Sequence, residues 1–80
     1  MVPGHNPPPT YPRRARQLGW QGCVVLQVTV DAAGGCVALS IRRSSGHPLL
    51  DRAAQQAVRG WRFRGGPGAI EIPIRFVLTD

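Results

Sequence analysis

Three stretches of the chain alternate between apolar and polar positions. Val24, Leu26, Val28 and Val30 alternate with Cys23, Val25, Gln27 and Thr29. Period two with β-branched enrichment predicts a strand. Asp31-Ala32-Ala33-Gly34-Gly35 reads as a turn, its two Gly free to take positive φ. Val37, Leu39 and Ile41 then alternate with Cys36, Ala38, Ser40 and Arg42, so a second strand closes a hairpin with one buried face. Farther on, Ile70, Ile72, Ile74, Phe76 and Leu78 alternate with Glu71, Pro73, Arg75 and Val77. This third strand contains a proline, which cannot donate to a ladder and so belongs on a sheet edge.

Two other stretches follow the helical period. Tyr11, Ala15 and Leu18 fall on one face of a short helix, with Arg13, Arg14, Arg16 and Gln17 opposite. Pro12 suits its first position, Thr10 or Tyr11 its N-cap with Thr10 the better chemical fit, and Gly19 its stop. Leu50, Ala53, Ala54, Ala57, Val58 and Trp61 recur at steps of three and four, opposite Arg52, Gln55, Gln56 and Arg59. Ser44-Ser45-Gly46-His47-Pro48 separates this helix from the hairpin. Gly65-Gly66-Pro67-Gly68 links it to the third strand.

The order is helix, strand, strand, helix, strand. A third strand running antiparallel to the first gives a three-stranded antiparallel sheet of order 2-1-3. Its most apolar strand is central. Both helices would cover the face made by Val24, Val37, Ile72 and their partners. The expected fold class is α+β, a two-layer sandwich. The organised unit is residues 11–80. Residues 1–10, with Pro7, Pro8 and Pro9 favouring polyproline II, read as the disordered end of a Pro-rich linker.

Eighty residues make one small domain. No run of about 18 apolar residues occurs, so no membrane span is expected. No charged segment leads into an apolar stretch, so no secretory signal is expected either. Ten Arg and no Lys against four acids give a net charge of +6, which favours acidic partners without choosing among them. A core this small leaves little room for an active site, so no enzyme and no cofactor are expected.

Candidate chemistry is sparse. With the turn centred on Ala33, Val30 faces Cys36 and Cys23 faces Arg43, both Cys on the face away from the helices. The two Cys would then stand roughly 23 Å apart along the strand. A disulfide needs Cα atoms within about 7 Å, so none is expected between them. Cys23, Cys36, His5 and His47 fit no zinc spacing, and no metal site is expected. Ser44, Ser45, His47 and Asp51 hold the ingredients of a hydrolase triad. They lie on one turn without a nucleophile elbow or an oxyanion hole. Trp61-Arg62-Phe63-Arg64 interleaves aromatic and basic residues, as base-stacking platforms do. The apolar helix face runs straight into Trp61, however, which favours a core role.

The open edge of the third strand carries most functional content. Unpaired N–H and C=O groups along Ile70–Leu78 can take up a peptide by β-augmentation, with Pro73 and Arg75 blunting self-association. Five or six hydrogen bonds at ~0.5–1.5 kcal/mol each give roughly 3–8 kcal/mol before ordering costs, an affinity near micromolar or weaker.

Tyr11-Pro12-x-x-Ala15, Gly22-x-Val24 and Gly35-x-Val37 resemble the C-terminal domain of TonB proteins. So do Ser44-Ser45-Gly46 and Leu50-Asp51-x-Ala53-Ala54-x-x-Ala57-Val58-Arg59-x-Trp61-Arg62-Phe63. Ile72-Pro73-Ile74-x-Phe76 completes the match. The resemblance spans Tyr11 to Asp80, and its most specific part is the Leu-Asp to Trp-Arg-Phe stretch. It implies the same element order and a periplasmic, non-catalytic role in a Gram-negative cell. The full-length protein would be anchored in the inner membrane with ExbB and ExbD as partners, this piece not entering the membrane itself. The domain would bind the TonB box of outer-membrane transporters. It would thereby couple proton-motive force to uptake of iron-siderophore complexes, haem or cobalamin. Carried onto this chain, the peptide lies along Ile70, Glu71, Ile72, Pro73, Ile74, Arg75, Phe76, Val77 and Leu78. Pro9, Thr10, Tyr11 and Pro12 would flank it. Two departures stand out. Pro8 occupies the place of a family Gln, so no side-chain contact from it is implied. Gly65-Gly66-Pro67 replaces the family's usual single residue and Pro. Two rivals remain. One is a TonB-like peptide-binding domain of another envelope protein, of TolA type or a sensor. The other is a basic single-strand nucleic-acid binder, which predicts salt-sensitive oligonucleotide binding that quenches Trp61.

Overall fold

A computed structural model describes residues 2–3 and 6–79. In chain order its elements are β1 (Val2–Pro3), α1 (Arg13–Gln17), β2 (Gly22–Val30), β3 (Cys36–Arg43), α2 (Pro48–Arg59), β4 (Phe63–Arg64) and β5 (Gly68–Phe76). The main sheet is antiparallel in the order β3-β2-β5. This is the expected α+β sandwich with the hairpin's first strand at its centre. Alternation in β2 works as the period-two pattern demands. Val24, Leu26, Val28 and Val30 are fully buried, while Cys23, Gln27 and Thr29 are not. From β5, Ile72, Ile74 and Phe76 join them, and from α2, Leu50, Ala54 and Val58. Each large apolar side chain buried here contributes about 1.5–3 kcal/mol.

Helix α2 starts with Pro48 at a position where its missing N–H costs nothing, and it ends at Gly60. Asp51 in its first turn and Arg59 in its last both match the helix dipole. Ala54, fully buried, keeps the core-facing side of this helix small.

Several details depart from the sequence reading. The cap of α1 is Pro12, with no side-chain hydrogen bond, rather than Thr10 or Tyr11. Leu18 is 52% exposed. Gly19 turns the chain at φ +72, and Trp20 takes the place beside the core that the helical period assigned to Leu18. Val37 is 61% exposed and is not part of the covered face. The reason is a β-bulge. Val30 pairs with Cys36 but Thr29 with Ala38, so Val37 is the extra residue and is pushed out of the ladder. A second shift leaves Arg42 unpaired and sets Arg43 opposite Val25, not Cys23. Cys23 instead lies opposite Arg75 on the open face. Cys36, paired with buried Val30, packs against the core on the helix side, so the two Cys do not share a face. Both are free thiols.

The sequence pattern also missed a second, two-stranded sheet, in which β1 pairs antiparallel with β4. Strand β4 is tied to the hairpin turn by Phe63 N–H donating to the Gly34 carbonyl at 2.9 Å and by a bridge between Gly35 and Arg62. Asp31 shapes that turn by accepting from the N–H groups of Ala33 (3.0 Å) and Gly35 (2.9 Å). Of the two turn glycines only Gly34 takes positive φ, at +88.

Candidate functional site

Strand β5 has β2 on one side and, among the described residues, no strand on the other. Which of its backbone groups face the open side follows from the hairpin turn. Asp31 N–H donates to the Gly35 carbonyl at 3.0 Å, so Asp31 faces β3. Both bulges lie in β3, and β2 pairs with β5 without a break from Gly22 opposite Phe76 to Val30 opposite Gly68. By the alternation of an antiparallel ladder, Val25, Gln27 and Thr29 therefore also turn their backbone groups to β3. Val24, Leu26, Val28 and Val30 bond to Ile74, Ile72, Ile70 and Gly68. Ala69, Glu71, Pro73 and Arg75 are left facing outward. Pro73 sits where its missing N–H breaks no bond of the sheet.

The side chains sort in the same way. Ile72, Ile74 and Phe76 are buried and Ile70 is half-buried, on the helix side. Glu71, Pro73, Arg75 and Val77 are exposed. Glu71 meets Arg42 from β3 at 3.3 Å across the open face, a solvated pair that adds little stability. Leu78 lies just past β5, half-buried, its N–H donating to Gln21 Oε1 at 2.9 Å.

The segment before α1 passes along α2 and meets this strand at its far end. Trp61 Nε1 donates to the Pro7 carbonyl at 2.8 Å, and Arg62 N–H to Asn6 Oδ1 at 3.2 Å. Trp61 follows α2 at the hairpin-turn end of the sheet, where β5 begins. At the other end Tyr11 meets Phe76 edge-on, ring centroids 5.3 Å apart, and its hydroxyl donates to the Trp20 carbonyl. The Arg16 guanidinium lies 5.4 Å from the Tyr11 ring. Residues 7–11 thus travel in the same direction as β5. Of the expected flanking residues, Tyr11 reaches the end of the strand. Pro9 and Pro12 are half-buried. Thr10 lines an open groove of about 320 Å³ with Pro7, Pro8, Ala53, Gln56 and Ala57 against α2. The Trp61 indole bond, which anchors this segment, had no signal in the sequence beyond the aromatic itself.

The other candidate clusters take structural roles. Asp51 is only 7% exposed. Its carboxylate accepts from the Ser44 hydroxyl, from Ser45 N–H at 2.9 Å and from Ser45 Oγ at 2.7 Å. Burial pushes its pKa up, but these three donors and nearby His47 outweigh it and hold the carboxyl below its ordinary value. The His47 ring stacks on Trp20 at 4.8 Å rather than on either serine. This network closes the β3–α2 junction. Trp61 and Phe63 lie in the core and are not offered to bases. No cluster of metal-ligating side chains occurs among the described residues, and His5 lies outside them. Among the described residues no helix is long and apolar enough to cross a membrane.

The family model for the Gram-negative bacterial TonB protein C-terminal region matches residues 7–78. The chain belongs to the TonB C-terminal family. Protein tonB2 of Pseudomonas aeruginosa is 40% identical over 82 aligned positions, covering 94% of this chain and 30% of that protein. Protein TonB of Xanthomonas campestris pv. campestris is 40% identical over 79 positions, covering 90% and 35%. The chain therefore spans about a third of the length of these curated TonB relatives. Among solved structures, the solution structure of the Pseudomonas aeruginosa TonB C-terminal domain superposes with a TM-score of 0.84 at 27% identity. It covers 98% of this chain and 86% of that one. The Helicobacter pylori domain shares the fold, with a TM-score of 0.74 at 24% identity over 90% of this chain and 83% of that one. The TonB match begins at Pro7, the residue that Trp61 holds.

Proposed function

We propose that this domain is the periplasmic, non-catalytic end of a TonB energy transducer. It takes up the TonB box of outer-membrane transporters as an added strand on β5. The observation that carries this reading is the open edge itself. In a TonB-family domain, Ala69, Glu71, Pro73 and Arg75 aim their backbone groups at solvent along a continuous strand. An edge of this kind is a template for main-chain pairing, and alternate side chains give selectivity. The segment 7–11 is held at one end by Trp61 and sets Tyr11 against Phe76 at the end of β5. Further parts of the full-length protein would anchor it in the inner membrane and engage ExbB and ExbD. Proton-motive force would then drive uptake of iron-siderophore complexes, haem or cobalamin.

The test is a binding isotherm with a synthetic TonB-box peptide from a transporter of this class. The expected dissociation constant is about tens to hundreds of micromolar, because ordering a free peptide offsets part of the hydrogen-bond gain. A scrambled peptide of the same composition should bind at least tenfold more weakly. Equal binding of both peptides, or none at millimolar concentration, would refute the reading.

A further inference from the structure

Ala69, Glu71 and Arg75 each offer the open edge an N–H and a carbonyl, but Pro73 offers the carbonyl alone. It stands in the middle of that edge, exposed, opposite Val25 of β2. We propose that Pro73 sets the selectivity of the edge: it withholds one hydrogen bond from an incoming peptide strand but two from a second copy of the domain. This deepens the peptide-binding reading above and rests on it.

Consider first a single strand. If it runs antiparallel, the residue opposite Pro73 donates to the Pro73 carbonyl and receives nothing for its own. If it runs parallel, the residue between Glu71 and Pro73 donates to the Glu71 carbonyl, and its own carbonyl faces the missing N–H. In both directions every edge-facing N–H of the peptide finds an acceptor. One central carbonyl does not, and water hydrates it because the position is open.

Now consider two copies of β5 paired about a two-fold axis, which forces them antiparallel. With Pro73 opposite Pro73, both bonds of that pair vanish. With Pro73 opposite Glu71 or Arg75 of the second copy, each copy loses one bond. The register that would set Arg75 of each copy opposite Glu71 of the other is the one that sets Pro73 against Pro73. The best electrostatic match therefore leaves its central pair with no hydrogen bond at all. A foreign strand loses half as much as the domain loses with itself.

The variant Pro73→Val restores the N–H without disturbing the bonds to β2. It should bind the synthetic TonB-box peptide roughly two- to tenfold more tightly than the wild-type domain, the value of one net hydrogen bond. Its dimerisation constant, measured by sedimentation equilibrium, should rise by about the square of that factor. The new amide at position 73 should exchange rapidly with solvent when free and slowly when peptide is bound. An unchanged peptide affinity, with that amide exchanging at its free rate in the complex, overturns the role of Pro73 and leaves peptide binding standing. Absence of peptide binding by both proteins overturns the peptide reading and this inference with it.

Discussion

Replacing Asp51 by Asn removes one charge from a buried junction while keeping its shape. The carboxylate accepts from the Ser44 hydroxyl and from both the N–H and the hydroxyl of Ser45. An amide at this site keeps one oxygen for Ser45 and turns an NH2 toward Ser44, whose hydroxyl can accept. The two charge-assisted bonds to Ser45 become neutral ones, and each such change costs about 1 kcal/mol. The variant should therefore lose about 2 kcal/mol at neutral pH. For a chain this small, urea unfolding has a slope of about 1 kcal/mol per molar, so the midpoint should fall by about 2 M. The pH dependence carries the sharper information. The folded pKa of Asp51 lies below its unfolded value of about 3.9. The carboxylate's contribution is therefore complete above about pH 4 to 5 and is lost as pH falls through the folded value. Urea curves for both proteins at pH 7, 5, 3 and 2 should show a constant gap at the upper values that narrows at the lower ones. A gap under about 0.5 kcal/mol at pH 7 would refute this account of the junction. So would a gap that keeps its size down to pH 2.

Other substitutions probe the core and the turn. Leu26→Ala, at a fully buried site in the central strand, should cost about 3 kcal/mol in urea unfolding. Gly34→Ala should cost about 2 kcal/mol or more by the same assay. Its φ is +88, and an added Cβ would stand 2.3 Å from the Phe63 carbonyl oxygen. Val37→Thr should change stability by less than about 0.5 kcal/mol, because the bulge holds that side chain in solvent. A loss of 1 kcal/mol or more there would mean that Val37 is buried after all.

Much of the fold was legible because β2 and β5 pair without a bulge, so their alternation maps directly onto burial. In β3 the same alternation misleads. Val37, Leu39 and Ile41 read as one face, yet the extra residue at Val37 shifts the ladder, and only Leu39 among them is half-buried. Nothing in a Val marks it as a bulge. The Ser44-Ser45-His47-Asp51 group showed polar residues close together but not that Asp51 alone gathers the donors. The Pro-rich segment showed stiffness. Its place against α2 depends on the Trp61 indole, 54 positions away from Pro7, and local patterning does not encode such a contact. For the site, Pro73 pointed to an edge strand. Which groups face outward required the Asp31–Gly35 bond and the unbroken register between β2 and β5.

The most direct test of peptide capture on β5 is amide hydrogen exchange across the whole domain, with and without saturating TonB-box peptide. Binding as an added strand predicts slower exchange at Ala69, Glu71 and Arg75, whose N–H groups face the open edge. Ile70, Ile72 and Ile74, already bonded to β2, should change little. Protection confined to β3 or to α2, with Ala69, Glu71 and Arg75 exchanging as fast as in the free domain, would contradict it.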